Sequence, residues 1–351
     1  MTLIFFLIIL LALVLSHEFG HFFAARAFGI KVEEFGFGIP PRIAGIWRDK
    51  KGTLYSLNFL PFGGFVKIFG EEGDGSDQPG SFGSKPAWSK ALVLASGVLA
   101  NILLAYMIFS FVSWAGAPQV ISEEERSFYQ DAKITIIDLA PASPAAMASI
   151  KVGDQVVGFS KIENFQNFVR ENQGQNINVS LLRGKETLAI TVLARANPPE
   201  GEGPLGIALG YVRIKKSPWY LAPIDGARLA WQTLESTVLG FFEIVKNIAR
   251  KETANIQVAG PVGIFNITSS AVSMGLNTIL ILTAILSINL AVINVLPFPG
   301  LDGGRLFFLL IEAIRGKRIS PKIGAFTHSL GLAILIILMI LITYHDIAKT
   351  F

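Results

Sequence analysis

The chain contains 351 residues, of which 51% are hydrophobic and 16% are charged, and its mean hydropathy is +0.52. This composition excludes an ordinary soluble domain and favours a polytopic membrane protein. A net charge of +4 could indicate nucleic-acid binding, but the basic residues are scattered between apolar segments rather than gathered in one stripe. Because the chain contains no cysteine, a bound metal must be held by histidine, aspartate or glutamate.

Four apolar segments are long enough to cross a bilayer as helices, which takes about 20 residues each. We predict these spans at residues 2–25, 91–117, 275–297 and 324–344. The link between the last two spans, residues 303–323, carries five basic residues and one acidic residue, so the positive-inside rule places it in the cytoplasm. Both termini and the long region 118–274 are therefore expected on the outer side.

The first span ends in His17-Glu18-Phe19-Gly20-His21, which is the HExxH pattern of zinc peptidases. In a helix, His17 and His21 lie one turn apart on the same face and can bind one Zn²⁺, while Glu18 can act as a general base. Ionisable groups at membrane depth usually face a polar cavity or a partner. The motif therefore predicts hydrolysis inside the bilayer or at its edge.

The cytoplasmic loop that follows contains two strand-like segments. Residues 54–59 alternate between apolar and polar side chains, and residues 61–68 indicate a turn followed by a second strand. We predict a β-hairpin at the membrane face, because its strands are too apolar for a free aqueous loop. The edge of this hairpin could pair with an unwound substrate segment, which makes its residues Gly63, Gly64, Phe65 and Val66 candidates for substrate binding.

The outer region begins with a compact α+β domain, predicted from short strands at 133–137, 155–159, 177–182 and 187–193 and helices near 144–147 and 164–171. Residues 198–204 indicate a linker. Residues 218–252 predict an amphipathic helix, either on the outer membrane surface or packed on the soluble domain. The segment 253–301 contains no charged residue, and its beginning favours a bent or re-entrant approach over a fifth span.

A zinc peptidase needs a third protein ligand, and Asp302 is the best candidate. It ends the charge-free segment after two prolines that stop the preceding helix, although it could equally well cap the next helix. Asn294 could form an interhelical hydrogen bond or contact the substrate, and for Asn289 the structural role is favoured. His328 is expected to be packed or hydrogen-bonded rather than metal-bound.

Taken together, the motifs resemble those of the bacterial site-2 protease family, the RseP-type intramembrane zinc metalloproteases. The shared motifs are HExxH at His17–His21, a glycine-pair hairpin at Gly63–Lys67, G-P-x-G at Gly260–Gly263 and NxxPxPxxDG at Asn294–Gly303. The resemblance implies that His17, His21 and Asp302 bind Zn²⁺. It also implies that Glu18 takes a proton from zinc-activated water and that Asn294 contacts the substrate. The soluble domain resembles a circularly permuted bacterial PDZ domain at residues 142–145 and 152–157, and a single such unit is found where some relatives carry two.

The expected fold is a polytopic α-helical membrane protein with four transmembrane helices, a membrane-associated β-hairpin and an inserted α+β PDZ-like extracytoplasmic domain. The expected parts are listed in chain order: 1–117, the first half of the peptidase core; 118–200, the PDZ-like domain; 201–274, a linker with an amphipathic or re-entrant segment; 275–351, the second half of the core.

The expected function is cleavage of single-span membrane proteins within or near their transmembrane helix in the bacterial inner membrane. The resemblance suggests substrates such as anti-sigma factors or signal-peptide remnants. The PDZ-like domain would sort substrates or hold a peptide tail. One alternative is a non-catalytic scaffold that uses this domain to bind a partner's tail. A transporter is a weaker alternative, because the spans show no internal repeat.

Overall fold

The computed structural model describes residues 1–350 without 72–74, 130, 141, 185, 200, 251–259 and 318. The side chains of residues 39, 60–62, 248, 273, 321, 322, 325, 349 and 350 also lie outside the description. The helices are α1 (Thr2–Ala27), α2 (Ala87–Ala115), α3 (Glu123–Arg126), α4 (Pro144–Met147), α5 (Ile162–Glu171), α6 (Ala222–Ala249), α7 (Pro261–Met274), α8 (Leu276–Val295), α9 (Asp302–Arg315) and α10 (Pro321–Thr350). The strands are β1 (Val32–Arg48), β2 (Leu54–Ile68), β3 (Ala117–Ile121), β4 (Lys133–Leu139), β5 (Gln155–Val156), β6 (Asn176–Arg183), β7 (Glu186–Leu193) and β8 (Ile207–Lys215).

The chain forms two compact units. The first contains Met1–Phe109, Gly226–Thr268 and Ile281–Phe351, and the second contains Ser110–Asp225 and Ser269–Leu280. Long apolar runs without helix breakers explain the membrane helices of this fold. Among the described residues, four helices are long and apolar enough to cross a membrane: Thr2–Ala27, Ala87–Ala115, Leu276–Val295 and Phe326–Ala348. The four predicted spans correspond to these four candidate helices.

The sheet of the first unit corrects the predicted hairpin. Residues 54–59 and 61–68 do not pair with each other but belong to one strand, β2, which pairs with β1. Residues 35–37 of β1 pair with residues 64–66 of β2 on one side and with residues 55–57 of β2 on the other. Residues 44–48 of β1 pair with residues 54–57 of β2. Four segments therefore lie side by side in the order 64–68, 32–37, 54–58 and 42–48. Local alternation predicts the strands, but their pairing partner depends on the tertiary fold.

The second unit contains a six-stranded sheet with the order β3-β8-β4-β5-β6-β7. Its strands between residues 133 and 193 and the short helix at 144–147 lie where the sequence predicts them, and α5 begins two residues earlier. The predicted domain end at residue 200 is wrong, because β8 lies between β3 and β4. The predicted linker and amphipathic region 201–274 therefore contains a strand of the sheet. Buried apolar side chains on both sides of this boundary, such as Leu181 and Tyr211, form one core.

Helix α6 corresponds to the predicted amphipathic helix, whose last two predicted residues lie outside the described residues. Its residues Ala230 and Leu234 pack with residues of α2 and α8 around Ala284 and Ile288. The small side chain of Ala230 permits this close approach between helices. Helix α7 is a regular helix of 14 residues, which is shorter than a span. Residues 253–259 of the predicted re-entrant segment lie outside the described part of the chain.

Candidate active site

The two histidines of the HExxH motif lie on the buried face of α1. His17 is 9% exposed and His21 is 8% exposed, and their Nε2 atoms are 3.2 Å apart. This geometry follows from the helical spacing of four residues, which places both side chains on one face. The predicted pair of histidines is therefore present as a pair.

Asp302 meets this pair from the far end of the chain. Its Oδ2 atom lies 2.9 Å from Nε2 of His17 and 3.2 Å from Nε2 of His21. Helix α8 ends at Val295, and the prolines that follow prevent it from continuing before α9 begins at Asp302. A Cβ atom on Gly303 would overlap the carbonyl of Val295, so glycine is required for this tight junction.

The alternative role of Asp302 as a helix cap is not found. The N-cap of α9 is Leu301, and no side-chain capping hydrogen bond is present among the described residues of this turn. Burial raises the pKa of the Asp302 carboxyl, but hydrogen bonds with His17 and His21 outweigh this effect and hold the pKa below its ordinary range. The carboxylate is thus anionic and directed at the two imidazoles.

The three side chains fit a metal ion of the size of zinc. Zinc ligands at about 2.0–2.2 Å and tetrahedral angles lie about 3.3 Å from one another, and the three distances between the Nε2 and Oδ2 atoms are 2.9, 3.2 and 3.2 Å. His21 donates from Nδ1 to the carbonyl of Val93 at 2.8 Å, which leaves its Nε2 lone pair for a metal. On α2, a Cβ atom on Gly97 would overlap both imidazole rings, so the site requires glycine there.

A cavity of about 310 Å³ adjoins these groups. His17 and Asp302 line it together with Glu18, Asn294, Arg305 and His328. Asn294 is thus near the predicted ligands, whereas Asn289 accepts a hydrogen bond from Thr237 at 2.9 Å and has the expected interhelical role.

Two polar residues of this cavity, Arg305 and His328, are not among the predicted site residues. Arg305 lies three residues after Asp302 in a helix, which gives both the same face. It forms an ion pair with Glu71, in the loop after β2. His328 was expected to be packed, and it reaches the cavity because Gly331, one turn later on α10, lies directly against Pro299.

The glycine pair of β2 lies beside the predicted general base. A Cβ atom on Gly64 would lie 3.6 Å from Cγ of Glu18, and Gly63 has a φ of +114°, which favours glycine. Phe65 packs on Gly36 of β1, where a Cβ atom would overlap its ring. Val66 packs against the buried cluster around Phe35. Residues 64–68 form an edge of the sheet within the described residues.

An HExxH helix completed by a distant aspartate among membrane-spanning helices has the features of a membrane-embedded metallopeptidase. The profile of peptidase family M50 matches residues 5–338. The chain belongs to this family, the site-2 proteases, and is a zinc metalloendopeptidase with Zn²⁺ as its cofactor.

Curated relatives match the chain along its length. A Clostridium perfringens protein, provisionally named a zinc metalloprotease, is 35% identical to this chain. The alignment covers 99% of this chain and 98% of the relative. A Nostoc protein with the same provisional description is 32% identical, with 93% of this chain aligned to 91% of the relative. The regulator of sigma-W protease RasP of Bacillus subtilis is 28% identical, with 100% of this chain aligned to 99% of the relative.

Proposed function

We propose that this protease cuts single-span membrane proteins within or near their transmembrane helix. His17, His21 and Asp302 would hold the zinc ion, and Glu18 would act as the general base. The observation that carries this proposal is the convergence of three ligand atoms within 3.2 Å, two from α1 and one from a residue 281 positions later. These atoms meet beside a cavity large enough for a peptide backbone.

The chemistry follows from the groups around the cavity. Bound zinc supplies a Lewis acid that makes water more acidic and polarises the scissile carbonyl. Glu18 takes one proton from the attacking water and delivers it to the leaving amine as the C–N bond breaks. The amide of Asn294 lines the same cavity and can donate to the substrate carbonyl oxygen.

A helical substrate must unwind before this reaction, because its peptide groups are held in hydrogen bonds. We place the unwound segment along the edge residues 64–68 of β2. Backbone pairing there would satisfy the substrate's peptide groups without requiring a particular sequence. The short distance between Gly64 and Glu18 supports this position, because it brings a paired substrate close to the general base.

The membrane orientation and the substrate class complete the proposal. The basic link between the last two spans supports a cytoplasmic active site, with both termini and the sheet of the second unit outside the inner membrane. The second unit would act as a PDZ-like domain that sorts substrates or binds a peptide tail. The name of the sigma-W relative supports a substrate that controls a sigma factor, such as an anti-sigma factor.

The test uses the purified full chain in detergent with a model transmembrane peptide. Glu18→Gln should bind zinc like the wild type but cleave about 10²–10⁴ times more slowly, because only the proton transfer is lost. Glu243→Gln on α6, an exposed glutamate, is the matched control and should cleave normally. Cleavage that persists both in Glu18→Gln and in chelator-treated wild type would refute the proposal.

Strand addition has a separate test. Single proline substitutions from Phe65 to Ile68 should slow cleavage of the transmembrane peptide wherever a backbone N–H faces the substrate. Zinc content measured on each variant controls for damage to the metal site. If all four variants cleave the peptide at the wild-type rate, the substrate does not pair with this edge.

A further inference from the structure

Three buried side-chain atoms near the metal site have no hydrogen-bond partner among the described residues. They are Nδ1 of His17 and the two polar side-chain atoms of Asn101. Asn101 is 0% exposed and His17 is 9% exposed. Buried polar groups in native proteins are nearly always paired, so these groups require an explanation.

Helices α1 and α2 run antiparallel where these residues lie. Ser16 donates to the carbonyl of Ala100 at 3.1 Å, and five residues later on α1 His21 bonds to Val93, seven residues earlier on α2. A helical side chain leans towards the N-terminus of its own helix. In an antiparallel pair the side chains of His17 and Asn101 therefore lean towards each other.

Gly97 fixes the level at which they meet. A Cβ atom on Gly97 would lie 2.8 Å from Nδ1 of His17, so this atom of the imidazole rests on the backbone of α2 at residue 97. Asn101 lies four residues later and thus on the same face of α2. The general lean of helical side chains towards the N-terminus directs the Asn101 side chain from there towards Gly97.

The neighbouring hydroxyl groups are already engaged. Ser16 bonds to Ala100, Ser96 donates to the carbonyl of Val93 at 2.6 Å, and Ser287 donates to the backbone carbonyl of Asn101 at 2.8 Å. In the described part of this interface, the groups left over are Nδ1 of His17 and the amide of Asn101. One is a donor when Nε2 binds a metal, and the other offers an acceptor oxygen.

We propose that Asn101 is a positioning residue for the metal site, which accepts a hydrogen bond from Nδ1–H of His17 directly or through one buried water. The bond fixes the tautomer and orientation in which Nε2 of His17 faces the metal, as Val93 does for His21. The inference rests on the proposed ligation of zinc by His17. It assigns Asn101 no contact with substrate.

The test measures the zinc dissociation constant of full-length protein in detergent by competition with a chromophoric chelator. Asn101→Leu should bind zinc about 10–100 times more weakly, because it removes the acceptor and keeps the volume. Asn101→Asp keeps an acceptor and should stay within a few-fold of the wild type. Ser287→Ala, which changes the same interface without touching the amide, should bind zinc normally.

A spectroscopic readout tests the hydrogen bond itself. In zinc-loaded wild type labelled with [¹⁵N]histidine, Nδ1–H of both His17 and His21 should be protected from exchange with solvent. The chain has four histidines, so the spectra of His328→Gln and His345→Gln leave two signals, those of His17 and His21. In Asn101→Leu, one of these two signals should lose protection and the other should keep it.

The outcomes separate this inference from the function on which it rests. If the wild type binds no zinc, the ligand set itself fails. If it binds zinc but Asn101→Leu binds equally tightly, the role of Asn101 is refuted. The same holds if Asn101→Asp and Ser287→Ala weaken binding as much as Asn101→Leu. Should Asn101→Leu fail to fold, fast exchange at Nδ1 of His17 in the wild type would still overturn it.

Discussion

Replacing Gly97 by alanine is the sharpest test of the metal site's geometry. The new Cβ atom would lie 2.7 Å from Cε1 and 2.8 Å from Nδ1 of His17, and closer still to Nε2 of His21. Ordinary contacts between such atoms begin near 3.5 Å, so the rings or the helix must shift by at least about 0.7 Å. Metal–ligand distances tolerate about 0.2 Å. We therefore expect zinc affinity to fall at least about 100-fold, which is about 2.7 kcal/mol.

The assay compares zinc affinity by chelator competition and cleavage of a transmembrane peptide in detergent. Gly240→Ala is the matched control, because Gly240 is exposed on α6 and a Cβ atom there meets no described atom within 4 Å. That substitution should leave zinc binding unchanged and stabilise α6 by up to about 1 kcal/mol. Wild-type zinc affinity and cleavage in Gly97→Ala would show that the histidines do not rest on α2 in this way.

Three further measurements address other parts of the first unit. Removing Arg305 or Glu71 should lower the free energy of unfolding, because the two side chains form an ion pair. A double-mutant cycle should show a coupling energy of about 0.5–3 kcal/mol between them. Strictly additive effects would contradict the ion pair. Burial raises the pKa of the Asp49 carboxyl, but hydrogen bonds from Arg26 and from backbone amides lower it further. The wild type should therefore have a higher free energy of unfolding than Asp49→Asn. This difference should be complete above about pH 4 and should disappear as the pH falls through the folded-state pKa of Asp49. A difference that does not depend on pH would contradict this. Chelation should lower the midpoint of thermal unfolding and added zinc should restore it, since zinc binds the folded state, and an unchanged midpoint would argue against the site.

The helices and the paired histidines could be predicted because both depend on local sequence. An apolar run longer than 20 residues specifies a span, and a spacing of four residues places His17 and His21 on one face whatever surrounds them. The glycine at position 63 likewise has a local cause, because its φ of +114° favours glycine. These features involve residues that are close in the chain.

Strand pairing could not be predicted in the same way. Alternation within 54–68 indicates strands, but it does not specify the strand with which they pair. In the structure, two different segments of β1 lie on either side of residues 54–58. Strand β8 was missed because it follows a segment rich in glycine and proline that indicates a linker. Its apolar residues from Ile207 to Ile214 were a usable signal, but their pairing depends on residues that lie 68 or more positions earlier in the chain.

The sequence by itself determined that α1 is an apolar helix that places the two histidines of an HExxH pattern on one face. Only the tertiary structure showed that Asp302 does not cap α9 and that the broken junction between α8 and α9 brings its carboxylate within 3.2 Å of both imidazoles. The same holds for Gly97 and Asn101, which carry no local signal of a role. Their positions matter because α1 and α2 pack closely enough for one glycine to leave space for two rings, and such packing is a property of the assembled helices.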